Sequence, residues 1–309
     1  MSRMDVTAAG GRWISPLLFV TLAGGWGITY SLNRIATTGG VPFGAYAFWA
    51  VTGAGIILLA LCAARRSWPP LTPIYLRAYV INGLLSSAIP LGVLALTASK
   101  VPAGVLAMQL TLIPTCTYLA ALVTKMERFD VMRCAGVLLG LAGVLMVLVP
   151  RTSLPSPEMA LWALLGLVMP ISAGFSNIIA VRVWPPGARP LPLACGFMFA
   201  SAMFLLPLML ATGEVWFFET GADRLAGVVI AMAVIVGLFR IGYYELIRRE
   251  GPLYFAMHNY LGAIAGIGWA VLIFAEGYSG WIWGSLGLLF AGMALVTRGA
   301  KRAAIVRPN

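Results

Sequence analysis

The side chains in this chain that could do chemistry are polar residues set singly inside long apolar runs. The first run holds Trp26, Tyr30 and Asn33, the third Tyr79, Asn82, Ser86 and Ser87, and the fourth Gln109, Thr111 and Thr115. Later runs hold Ser172, Ser176 and Asn177, then Arg240, Tyr243 and Tyr244, then His258, Asn259 and Tyr260. A polar group facing lipid is costly, about 2.5 to 3.5 kcal/mol for an Arg at a helix centre on insertion scales, so these groups must face other helices or a wet interior. Their chemistry is non-covalent recognition: amides and hydroxyls exchange hydrogen bonds, rings stack, and a guanidinium can hold a carboxylate. Trp26, Tyr30, Tyr79, Asn82, Ser86, Gln109, Thr111, Asn177, Arg240, Tyr243, His258 and Tyr260 are the candidate substrate-binding residues. His258 is the sole histidine and titrates near neutral pH, which makes protons a candidate coupling ion. The alternative role for His258 is a hydrogen-bonding tether, and for Arg240 a side chain that snorkels inward or stacks on Tyr244.

The elements that must position these residues are membrane helices. The 309 residues are 61% hydrophobic and 10% charged, with mean hydropathy +0.92, too little polar surface for a soluble fold. Ten apolar runs fall at 14–36, 42–64, 74–97, 102–124, 131–149, 159–181, 190–212, 225–247, 252–274 and 281–298. They are long enough for helices and lack the alternation of membrane strands, so an all-α membrane protein is expected. When the connections are assigned alternately to the two sides, 16 Lys and Arg fall on one side and only Arg34, Lys100, Arg151 and Arg224 on the other, with Arg240 inside a run. That asymmetry places both termini in the cytoplasm.

The same charges are spread one to four per loop, which fits a lipid surface and not nucleic acid, despite a net charge of +11. Cys62, Cys116, Cys134 and Cys195 stand at no metal-ligand spacing, and one histidine excludes a multi-histidine site, so no cofactor or metal is expected. No Walker motif is present. Paired acids for Mg²⁺ or a Ser/His nucleophile system, which an intramembrane lipid-modifying enzyme would need, are not evident, and non-enzymatic function is expected.

The chain divides at Pro150–Glu158, where three prolines prevent helix continuation, into halves 1–150 and 151–309. A shift of 149 places Ala107-Met108 on Ala256-Met257, Glu127 on Glu276 and Ala142-Gly143 on Ala291-Gly292, while a shift of 148 places Arg34 on Arg182 and Pro42 on Pro190. A unit with five crossings must enter its second copy from the opposite side, which gives a 5+5 inverted-topology repeat around a central cavity and a bundle that opens alternately to each side. Gln109 and His258 then occupy matching places in oppositely directed helices, as candidates for opposite gates. Gly136-xxx-Gly140, Gly262-xxx-Gly266 and Gly284-xx-Gly287 predict close helix contacts, and Pro90, Pro114, Pro170 and Pro207 predict kinks.

Gly25-Trp26-Gly27, the segment Tyr243–Pro252, the acids Glu127 and Glu276 after the fourth and ninth runs, and the Gly-rich fifth and tenth runs resemble the EamA repeats of the drug/metabolite transporter superfamily. The resemblance covers nearly the whole chain. It implies ten helices in two inverted repeats, location in the bacterial inner membrane, and export of small metabolites; the nearest group is the YddG-type aromatic amino-acid exporters. This chain has Thr111-Leu-Ile-Pro114 where that group places aromatic residues before its proline, so the resemblance implies amino acids without restricting them to aromatic ones. Carriers of sugars, nucleotide derivatives or drugs in the same superfamily are the alternative, although anionic nucleotides would need more intramembrane cations than Arg240 supplies.

Overall fold

A computed structural model describes residues 14–148, 158–211, 213, 215–217, 223–256 and 258–305, and among these every regular element is helical. The helices are α1 (Ile14–Thr38), α2 (Phe43–Ala64), α3 (Pro73–Gly83), α4 (Ile89–Ala98), α5 (Ala103–Met108), α6 (Ile113–Val123), α7 (Val131–Leu148), α8 (Glu158–Gly166), α9 (Val168–Val183), α10 (Pro190–Ala211), α11 (Asp223–Ala256), α12 (His258–Phe274) and α13 (Gly280–Ile305). A π turn at Leu84–Ala88 joins α3 to α4, and a 3₁₀ turn at Gln109–Leu112 joins α5 to α6. Prolines mark the starts: Pro42 and Pro102 precede α2 and α5, and Pro73 and Pro190 open α3 and α10, where a missing N–H costs nothing.

Six helical runs have the length and apolarity to cross a membrane: Phe43–Ala64, Pro73–Ala98, Ala103–Val123, Glu158–Ile179, Pro190–Ala211 and Arg224–Gly242. Val131–Gly143, Leu261–Phe274 and Gly280–Val296 are shorter apolar stretches. Large apolar side chains such as Val123, Leu161, Met203 and Leu272 point outward, the expected state of a surface solvated by lipid. The chain is a multi-pass membrane protein.

Three of the four expected proline kinks coincide with departures from α geometry: the π turn before Pro90, the 3₁₀ turn before Pro114, and the break at Leu167 before Pro170. α10 continues through Pro207. α11 also continues past Gly251-Pro252, where the sequence predicts a boundary. The run of charges there marks a change of solvent; the helical backbone satisfies itself on both sides of it, and Pro252 removes only the donor to the residue 248 carbonyl.

Glycines set the closest contacts. α7 and α13 cross antiparallel: a Cβ on Gly136 would lie 2.5 Å from the Gly292 carbonyl oxygen, and one on Gly143 would lie 3.1 Å from that of Ser285 and 2.9 Å from the Leu289 side chain. Conversely, a Cβ on Gly292 would lie 2.6 Å from the Gly136 oxygen and 2.8 Å from the Gly140 nitrogen. α1 and α12 run parallel, with Gly27 against Gly266 and Gly262 facing the Ala23 carbonyl. α6 and α9 are also parallel, with Gly174 against Cys116 and Thr117 and, further along, Arg182 against Thr124. α2 and α10 are antiparallel, Gly44 meeting Met209 and Gly55 meeting Met198. Of the predicted contact glycines, Gly284 abuts Met146, whereas Gly287 faces open space.

Candidate functional site

The interior is organised by carbonyls that prolines set free. In the π turn the Ile89 N–H reaches back to the Leu84 carbonyl, five residues away, so the Leu85 carbonyl loses its helical donor. Pro90 has no N–H to give the Ser86 carbonyl. Both orphans find partners on other helices: Ser172 Oγ of α9 donates to Leu85 O at 2.7 Å, and Arg240 Nη2 of α11 donates to Ser86 O at 3.0 Å. Arg240 Nη2 also donates to Ser87 Oγ at 2.5 Å. An intramembrane guanidinium is thus held by the π turn between α3 and α4, and its Nε is buried with no hydrogen-bond partner among the described residues. Ser86 Oγ turns back to Asn82 O at 2.5 Å, and Asn82 Nδ2 to Ala78 O at 3.1 Å, so these two side chains lie along the same polar edge of the helix.

A ring cluster stands beside it. Phe239, next to Arg240 in sequence, has its ring centroid 4.2 Å from that of Trp26 and 5.5 Å from that of His258. α1, α11 and the start of α12 therefore meet at one aromatic contact, with Trp26 half-buried and His258 buried. Tyr30, one turn beyond Trp26, is fully buried in the core shared by α1, α5 and α12. Tyr79 is buried elsewhere, against α10: its ring lies edge-on to Phe197 at 5.9 Å and abuts Gly196, where any side chain would collide with it.

Gln109 reaches across to α8, Nε2 donating to Ala163 O at 2.9 Å. That carbonyl is free because the Leu167 N–H bonds Leu164 instead, tightening the last turn ahead of Pro170. Thr111 is buried with its hydroxyl on Met108 O at 2.8 Å, within the 3₁₀ turn. Asn177 is exposed and donates to Thr117 Oγ1 at 3.1 Å, joining α9 to α6. The side chains of Tyr243 and Tyr260 lie outside the described residues. Of the expected residues, Trp26 and Arg240 flank Phe239 and Ser86 shares the Arg240 contact; Tyr79, Gln109 and Asn177 are at separate interfaces.

Phe239 and the Leu85 and Ser86 carbonyls were not legible as site features: a Phe in an apolar run carries no signal, and a backbone acceptor has no residue code. Pro90 was the available clue, since it names the Ser86 carbonyl as the one left over. Charged residues also gather at the two ends of the bundle. At one end Arg34, closing α1, pairs with Glu276, which also accepts from the Ala103 and Gly104 N–H groups and from Tyr278. At the other, Arg133 pairs with Glu127 at 3.3 Å, lies over the Tyr118 ring and donates through Nε to Val296 O.

The fold is that of a multi-pass membrane helix bundle with isolated polar groups inside it. Residues 13–149 match the model of the EamA-like transporter family. No curated protein matches the chain in sequence. Among solved structures, a crystal structure described only as that of a protein superposes on 95% of this chain and 99% of its own, with a TM-score of 0.62 and 20% identity. At that identity the likeness speaks for the fold.

Proposed function

We propose that this chain is a secondary transporter exporting amino acids or similarly sized metabolites across the bacterial inner membrane by alternating access. Its two halves, 1–150 and 151–309, are taken as five crossings each, inverted with respect to one another. One observation carries this reading: the contacts between α7 and α13 exchange under the 149-residue shift. Gly143 meets Ser285 and Leu289; subtracting or adding 149 turns these pairs into Gly292 with Gly136 and Gly140, which are also in contact. Because the two helices cross antiparallel, the axis relating them lies across the helices, as an inverted repeat requires. The parallel pairs α1–α12 and α6–α9 are likewise exchanged by the same operation, since it carries α1 onto the α8–α9 rod and α12 onto the α5–α6 rod.

Arg240 supports a substrate with a carboxylate. Its Nη2 is occupied by Ser86 and Ser87 of the π turn, its Nε is buried without a partner among the described residues, and Phe239, its neighbour in sequence, stacks on Trp26. A zwitterion of amino-acid size fits one cation better than a nucleotide does. Transport into liposomes containing purified protein, screened with aromatic, aliphatic, hydroxylated and charged amino acids beside nucleotide sugars, tests it. Saturable uptake of a carboxylate-bearing substrate, lost in Arg240→Gln, is expected; nucleotide-sugar uptake that survives Arg240→Gln would favour the alternative carrier.

A further inference from the structure

We infer that Arg34–Glu276 and Arg182–Glu127 are two alternating gate ion pairs, one at each end of the bundle, of which this conformation has the first formed and the second open. The inference rests on the inverted-repeat reading above. The four residues are the charged matches of the repeat: Arg182 corresponds to Arg34 and Glu276 to Glu127.

At the formed end, Glu276 is a hub. It pairs with Arg34 of α1, accepts from the first-turn amides of α5, Ala103 N at 3.1 Å and Gly104 N at 3.4 Å, and accepts from Tyr278 of the α12–α13 connection. Arg34 also lies 4.5 Å from the Phe274 ring centroid. The ends of α1 and α12 and the start of α5 are thus fastened together, and Glu276 is favourably placed at a helix N-terminus.

The opposite end has the same parts in a different arrangement. It is the far end of the Ala103–Val123 rod, 21 residues long, hence about 30 Å away at 1.5 Å per residue. Here Arg182 of α9 is exposed and donates to the Thr124 carbonyl at 3.1 Å, three residues short of Glu127. Glu127 is held through Oε2 by Arg133 at 3.3 Å. One carboxylate accepts several donors, so Arg182 can join Glu127 while Arg133 keeps its place, as Arg34 joins a Glu276 already held by two amides. Both acids also follow chain reversals, with Lys125 (φ 56°) two residues before Glu127 and Ala275 (φ 51°) directly before Glu276 in the left-handed conformation. Two local structures of one design therefore differ in whether the arginine has engaged. By the asymmetry of basic residues the engaged end faces outward.

The experiment uses the full-length protein in liposomes, its four cysteines replaced, with spin-label pairs at Thr38 and Gly277 for one end and at Lys125 and Pro186 for the other. Glu276→Gln keeps an oxygen for the α5 amides while removing the charge. It is expected to lengthen the 38–277 distance and shorten the 125–186 distance, each population moving roughly threefold or more. Glu127→Gln is expected to do the reverse, and the Arg34→Glu/Glu276→Arg exchange to restore the parental distribution. Shifts of both distances in the same sense in the two single variants, or no shift in a folded variant that still transports, would overturn the gates. Opposed shifts in protein that carries no amino acid would leave the gates standing and sink the substrate reading.

Discussion

Two interfaces in this molecule are built on opposite plans. Between α7 and α13, glycines bring backbones together, and the contacts repeat themselves under a 149-residue shift. Between the α3–α4 rod and α11, a single arginine grips the Ser86 carbonyl released by Pro90 and the Ser87 hydroxyl, and nothing at the shifted positions repeats it, since residue 239 is Phe and residues 235 and 236 are Ile and Val. On the proposed inverted repeat, the first interface is what two copies of one unit make when they meet around an axis. The second uses a residue present in one half only, which on the proposed function gives a symmetric frame an asymmetric binding surface.

The largest expected effect tests the symmetric interface. Gly292→Val forces a side chain against the Gly136 carbonyl and the Gly140 backbone, an overpacking for which a loss of about 3 kcal/mol is expected, measured by reversible unfolding in detergent. Gly136→Val should cost about as much; a large cost at one position and none at the other would break the equivalence of the two helices. Next comes Arg240→Gln, which removes an ionised donor from two acceptors at about 1.5–3 kcal/mol for such bonds. Transport should fall by at least roughly tenfold while the protein remains folded by size-exclusion and thermal unfolding. Unimpaired transport would reduce Arg240 to a packing residue.

Pro90→Ala sharpens the same interface from the other side. It supplies an N–H that competes for the Ser86 carbonyl, so thermal stability should hold or rise while transport declines, by about tenfold if one charge-assisted bond of about 1.4 kcal/mol is lost. A destabilised variant with intact transport would contradict the assignment of that carbonyl to Arg240. The smallest effects belong to the paired reversals. Ala275→Gly and Lys125→Gly each relieve a left-handed residue and should stabilise by about 0.5–1 kcal/mol, measured by thermal unfolding; a loss of stability would contradict the strain at these turns.

The fold was largely legible because lipid imposes so few options: long apolar runs, prolines at their starts, and glycines at their contacts. Arg34/Arg182 and Glu127/Glu276 were visible as matches in sequence, since charged residues rarely coincide by composition. That Arg34 is engaged and Arg182 is not was invisible, because a repeat encodes the equivalence of two sites and not which is occupied in a given conformation. The polarity of Asn82 and Ser86 marks an inward edge, but the carbonyl that holds Arg240 depends on a π turn whose register is set by Pro90 and by the packing of α9 and α11 together. Tyr79 and Gln109 drew the same polarity signal and serve different interfaces, since a polar residue in an apolar run must be satisfied somewhere without saying where.

The central claim is that the halves are inverted, and the sidedness of matched positions tests it most directly. In sealed right-side-out vesicles, a cysteine at Thr38 should react with a membrane-impermeant maleimide added outside, and a cysteine at Pro186, the position 148 residues later, should react only after the vesicles are opened. Both reacting from the same side would mean that the two halves point the same way, and the account would fail.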